Sequence, residues 1–192
     1  AAGLGNHFGI ISHCLRTNIQ NTPTIGDRPH THHFGIGFIV KSIGDHHILK
    51  ITSRDPGPPP VSYIKSSGGL FLDMTIHDFD MARYISGKQV REVFAKGSVK
   101  VDPEIGRAGD VDTAVITLTY SDGSMAIIDN CRKAAYGYDQ RLEVFGSEGM
   151  AKIDNNTPDR HAYFNKEGAH GPLPLDFFMD RYIESYQFEM EA

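Results

Sequence analysis

At 192 residues the chain is long enough to bury a core in one large domain or two small ones. It is 40% hydrophobic and 22% charged, the composition of a globular protein, and a net charge of −5 without a basic stripe argues against nucleic acid or an anionic membrane as partner. No apolar run approaches the roughly 20 residues that span a bilayer, no signal-like start is visible, and Cys14 and Cys131 form neither a disulfide framework nor a zinc pattern, so a reducing, cytoplasmic setting is expected.

Residues 1–36 are rich in Gly, His, Asn, Thr and Pro and hold neither a 3.6 nor a 2.0 period, so they read as an irregular or remnant segment, leaving 37–192 as the folded unit. Residues 47–54 read as a strand, stopped by Asp55-Pro56-Gly57-Pro58-Pro59-Pro60, which cannot continue a ladder. A helix is expected over residues 69–85, ended by Ser86-Gly87. Residues 90–101 suggest a strand with a bulge at Gly97. Two hairpins follow: 112–120 with 125–132 around Ser121-Asp122-Gly123-Ser124, and 141–145 with 150–153 around Gly146-Ser147-Glu148-Gly149. An edge strand at 161–164 and a closing helix over 175–191 complete the reading. The sum predicts an α+β fold, a largely antiparallel open sheet covered on one face by helices.

The helix at 69–85 carries the chemical signal. On a wheel of about 100° per residue, Leu70, Phe71, Met74, Met81, Ala82 and Ile85 fall on one side and Leu72, Ile76 and Phe79 roughly opposite. A helix apolar over so much of its circumference is expected to be buried. Between these faces Asp73, His77, Asp80 and Tyr84 form a polar stripe whose three- and four-residue spacing brings neighbours together. A carboxylate beside a partly dry imidazole suits proton transfer, because burial lowers the ring's pKa while the carboxylate raises it. The bland alternative is an ordinary structural Asp/His pair. Asp78 falls within the apolar face and is expected to satisfy backbone donors in the core.

Three stretches carry a family resemblance. Gly68-Gly69-Leu70-Phe71-Leu72-Asp73-Met74-Thr75-Ile76-His77-Asp78-Phe79-Asp80 resembles the second-domain helix of the Gfo/Idh/MocA oxidoreductases, and within them the inositol 2-dehydrogenases. His47 to Pro60, and Ala135-Tyr136-Gly137-Tyr138-Asp139-Gln140-Arg141 with Glu143-Val144-Phe145-Gly146, agree with it in the same order, over about residues 41–191. The resemblance implies that His77 is the acid/base that takes the substrate hydroxyl proton as hydride passes to NAD, and that Asp73 holds a substrate hydroxyl. It also implies that Tyr136 contacts a polyol from the sheet side, with Arg54 and Asp55 near the same pocket; a surface-turn ion pair is the alternative for those two. Relatives in the family associate through this sheet, so a homo-oligomer is expected.

In that family a Rossmann unit with a Gly-rich turn comes first, together with a Glu-Lys-Pro motif whose lysine completes the catalytic set. This sequence has neither: Gly3-Leu4-Gly5-Asn6-His7-Phe8-Gly9 lacks a preceding strand and the right glycine register. The chain therefore reads as an isolated substrate-side domain, inactive alone, with the NAD site outside it. Two alternatives stand beside that reading. One is a non-catalytic polyol-binding or association module. The other is a metal site that joins Asp73 and His77 to His30, His32 and His33, disfavoured because those imidazoles have no nearby carboxylate or cysteine and sit in what reads as a solvated loop.

Overall fold

The computed structural model describes residues 42–183. Strand β1 (His46–Arg54) leads through the proline run to helix α1 (Val61–Ser67), then a π-helical turn (Phe71–Thr75) that continues into α2 (Ile76–Ser86). β2 (Val90–Ser98), a short α3 (Pro103–Arg107), β3 (Thr113–Tyr120), β4 (Met125–Cys131), β5 (Asp139–Gly146) and β6 (Met150–Ile153) follow. A small hairpin of β7 (Tyr163–Asn165) and β8 (Gly168–His170) precedes α4 (Phe178–Arg181). The main sheet has six strands in the order β2-β3-β4-β1-β5-β6. All neighbours are antiparallel except β1 and β4, which run parallel with Ile51 opposite Ile128. The expected α+β class, with helices on one face, is observed.

Alternation along the strands decides the faces. Leu49 and Ile51 of β1, Ile116 and Leu118 of β3, Ala126 and Ile128 of β4 and Val144 of β5 point inward and form one core with Leu70, Met74, Met81, Ala82 and Ile85. The other face stays open: Phe94, Val115, Met125, Ile127, Phe145 and Met150 are exposed there. Among the described residues no helix is long and apolar enough to cross a membrane.

Several expectations need correction. The proline run ends β1 at Arg54 as expected, but a helix that was not expected, α1, starts directly after Pro60 and breaks at Gly68 and Gly69, both left-handed with φ of +90° and +81°. The second helix is not buried all round, since Leu72 is 58% exposed. Its wheel is not uniform either: a π turn advances each residue by less than the α-helical angle, so positions before Ile76 are rotated relative to those after it. It does end at Gly87, whose N–H bonds the Arg83 carbonyl in the left-handed cap conformation.

β2 stops at Ser98 because the buried Asp112 carboxylate takes the next backbone N–H groups, those of Lys100, Val101 and Asp102. Its register shift lies between Val90 and Glu92, not at Gly97, where Val111 packs instead. Helix α3 was not expected; Asp102 accepts the Glu104 N–H at its start and Pro103 takes the first helical position. Residues 163–165 pair with β8 and do not extend the main sheet. Near the end, Leu175 is engaged through its backbone with Tyr138 and Asn156, so helix begins only at Phe178. The remainder of the expected closing helix, the Gly3–Gly9 stretch, Cys14 and the His30–His33 cluster lie outside the described residues.

Candidate active site

The π turn and α2 carry Asp73 and His77 one helical step apart, next to the end of β1 and the residue that follows β4. Asp73 is held from two sides. The Tyr63 hydroxyl, from α1, donates to Oδ1 at 2.6 Å, and the Arg132 guanidinium donates through Nη1 to Oδ2 at 3.0 Å. The first contact pushes the Tyr63 hydroxyl up to about 12, since losing its proton would leave an anion against the carboxylate. Asp55 turns in at the strand end beside this pair. Burial raises its carboxyl to about 6; the Arg132 charge pulls the other way and Asp73 adds to the rise.

His77 is mostly buried, and desolvation lowers its pKa below the ordinary 6.5 while the Asp73 and Asp80 charges oppose that shift. The ring is therefore a neutral imidazole near pH 7, able to take a proton. Asp78 is fully buried and accepts from the side-chain amides of Asn130 (2.7 Å) and Gln140 (3.4 Å), not from backbone donors as expected. Burial pushes its carboxyl up to about 7. The same Asn130 accepts the Thr75 hydroxyl at 2.6 Å, so one carboxamide from β4 grips the helix at positions 75 and 78, on both sides of His77.

Asp55, Asp73 and His77 thus come together as the sequence suggested, and Arg54 and Tyr136 do not join them. Arg54 alternates to the outer face of the sheet, where it bonds Asp129 (2.7 Å) and the Tyr136 hydroxyl (3.0 Å). Tyr136 in turn donates to Asp139 at 2.5 Å, and Arg141 and Asn155 complete that network. The alternative of an Arg54–Asp55 turn pair is not what forms either, since the Arg54 partner is Asp129.

The second tyrosine of the same motif, Tyr138, lies on the site side. Its hydroxyl donates to Gln140 at 2.7 Å within electrostatic reach of Asp55 and Asp78. Sequence reasoning missed Tyr63, Asn130, Arg132 and Tyr138. Only Tyr138 carried a signal, its place two residues beyond Tyr136. Among the described residues no group of three or more His, Cys, Asp and Glu could hold a metal ion.

The arrangement offers a neutral base, a fixed carboxylate acceptor for a hydroxyl, and a second carboxyl that titrates near neutrality. The turn after β1 and before α1 is Asp55-Pro56-Gly57-Pro58-Pro59-Pro60, and prolines have no N–H to present to a dinucleotide's phosphates.

Comparison with known proteins gives the family. Myo-inositol 2-dehydrogenase of Thermotoga maritima is 57% identical over 151 residues, covering 79% of this chain and 45% of that protein. The crystal structure of a myo-inositol dehydrogenase from Corynebacterium glutamicum matches with a TM-score of 0.76 at 43% identity, over 79% of this chain and 45% of that one. Scyllo-inositol dehydrogenase from Lactobacillus casei, solved with bound NAD(H) and scyllo-inositol, matches with a TM-score of 0.68 at 33% identity, over 77% of this chain and 45% of that one. The chain spans about half the length of the curated relatives it matches. The family model for the GFO/IDH/MocA C-terminal domain matches residues 40–152, and the chain belongs to that family.

Proposed function

We infer that the protein to which this chain contributes its substrate side oxidises a cyclic polyol, myo-inositol, to a 2-keto inositol with NAD as hydride acceptor. The observation that carries this reading is the neutral His77 ring on the same helix as the doubly held Asp73, in a chain whose relatives bear the names of inositol dehydrogenases. Losing a hydride from a carbinol carbon requires its hydroxyl proton to leave as well. His77 accepts that proton. Asp73, fixed by Tyr63 and Arg132, accepts a hydrogen bond from a ring hydroxyl and sets which carbon faces the base. Asp55 adds a further acceptor at the same end of β1.

The proline-rich turn after β1 presents no row of N–H groups to a dinucleotide, and in this reading the rest of the protein holds most of the NAD. The apolar residues Leu72, exposed, and Ile76, half-buried, flank Asp73 and form the surface on which the cofactor-bearing part would close. Association into a homo-oligomer through the open sheet face fits its row of exposed apolar residues, and a cytoplasmic setting fits the free Cys131 thiol. Arg54 and Tyr136 serve in this reading as an outer-face clamp at the strand ends and not as direct polyol ligands.

The test is NADH formation by the full-length protein that carries this chain, with myo-inositol, scyllo-inositol and glucose supplied in turn. Absence of NADH with all three would sink the dehydrogenase reading. A second reading is a polyol-binding or association module without catalysis. Calorimetry of the 192-residue chain separates the two: inositol binding with no NAD binding and no turnover by the full-length protein would favour the module.

A further inference from the structure

Arg132 follows the last residue of β4 and is 1% exposed. A guanidinium so far from water is stable only among carboxylates or carbonyl acceptors. The structure supplies carboxylates, and each comes from a different part of the chain. Asp73, on the π turn, takes one hydrogen bond at 3.0 Å. Asp110, in the loop before β3, lies 3.8 Å from Nη2, and its two oxygens also accept the Leu70 N–H at 3.1 and 3.0 Å, where the catalytic helix begins. Asp55, at the end of β1, feels the Arg132 charge directly.

The remaining guanidinium nitrogens, Nε and Nη2, make no hydrogen bond among the described residues. An arginine buried for structure alone uses its five fixed N–H groups on nearby acceptors. Arg132 directs one bond at one oxygen of Asp73, and what it otherwise contributes is charge. The other Asp73 oxygen is already taken by Tyr63, so the two donors together define the carboxylate plane.

We propose that Arg132 is a positioning residue of the candidate site: it fixes the Asp73 carboxylate and supplies the buried positive charge shared by Asp55, Asp73 and Asp110. The inference rests on the polyol reading for the use made of Asp73, and on geometry alone for the holding. The groups facing the guanidinium are Asp55 from β1, Tyr63 from α1, Asp73 from the helix and Asp110 from the loop, so its removal leaves three carboxylates around a buried space with no countercharge.

Carboxyl ¹³C NMR titration of the 192-residue chain tests this in the wild type, Arg132→Lys and Arg132→Gln. In Arg132→Lys the Asp55 midpoint stays within about 0.3 unit of the wild-type value. In Arg132→Gln it rises by at least about one unit, a tenfold gain in proton affinity. A folded Arg132→Gln chain whose Asp55 titrates with the wild type overturns the proposal. If Arg132→Gln does not fold, Arg132→Lys decides the matter. Lysine keeps the charge but not the planar fork, so three-bond couplings must show Asp73 averaging between side-chain rotamers, and a single retained rotamer overturns the proposal. Adding myo-inositol reads the other question separately: Asp73 and His77 signals that stay unmoved count against the polyol reading and leave the Arg132 result standing.

Discussion

His77 sits under two opposing influences, desolvation that drives off its proton and the Asp73 and Asp80 charges that retain it, and desolvation is the larger. The ring is thus held ready to accept a proton in the pH range where inositol oxidation would run. Replacing it with alanine, in the full-length protein, is expected to lower kcat by about 10² to 10⁴ while the polyol KM stays within a few-fold, because in the proposed reading Asp73, and not the ring, holds the substrate's hydroxyls. Steady-state kinetics settle this, and an unchanged kcat would remove His77 from the mechanism.

Asp73 and His77 were visible in the sequence because their spacing is local and a helix converts it directly into proximity. Tyr63, Asn130 and Arg132 were not, because they reach the site from α1, β4 and the residue after β4, and only the parallel pairing of β1 with β4 brings those ends together. Tyr136 and Tyr138 take different directions because they lie in the turn before β5, where Gly137 has φ of +112° and the two-residue period of a strand does not apply: Tyr136 bonds Asp139 and Tyr138 bonds Gln140.

At the scale of elements, the helix that carries Asp73 and His77 is set by contacts outside itself. Asp110 caps its first free N–H, Asn130 bridges Thr75 and Asp78, and the π turn between these anchors changes the helical phase. The wheel drawn from sequence assumed one uniform phase; it placed Asp78 in the core, as observed, but not Leu72 on the surface, where it is 58% exposed. The entry to the helix depends on Gly69. Its φ of +81° is costly for any residue with a Cβ, and a Cβ there would stand 2.7 Å from Asp110 Oδ1. Gly69→Ala is therefore expected to destabilise the chain by roughly 2–4 kcal/mol, read as a lower urea midpoint with an unchanged slope. A loss below about 0.5 kcal/mol would show that the cap tolerates displacement.

At the scale of the whole molecule, buried carboxyls govern the pH response. Asp78 is pushed up to about 7 and Asp55 to about 6. A carboxyl with a raised folded-state value binds its proton more tightly folded than unfolded. Its contribution is complete below the ordinary 3.8 and is lost as pH rises through 6 and 7. For Asp78 the loss is on the order of 4 kcal/mol across that window. His77, with a lowered value, acts in the opposite sense: its contribution is present above 6.5 and lost as pH falls. Thermal unfolding of wild type and Asp78→Asn, followed from about pH 4.5 to about pH 7.5, isolates the first effect. The wild-type midpoint should fall more steeply than that of the variant, and parallel curves would refute the assignment.

The open sheet face makes a separate prediction. Ile127 lies on β4 within this face, 38% exposed, with Thr117 of β3 and Lys50 of β1 beside it and Met125 two residues away on the same strand. Ile127→Lys is expected to shift sedimentation toward the monomer without lowering the unfolding midpoint by more than a degree or two. A variant that assembles like the wild type would place the interface elsewhere.

The strand order carries a consequence for synthesis. β1 lies in the centre of the sheet, yet both of its partners come far later in the chain: Thr52 meets Asp129 on one side and Arg141 on the other. While the ribosome makes everything between, β1 has two bare edges of unpaired N–H and C=O groups and an apolar face built on Leu49 and Ile51. That interval is when a second nascent chain could pair with it. Lys50 and Arg54, spaced along the same strand, are the gatekeepers that discourage such pairing until β4 and β5 arrive.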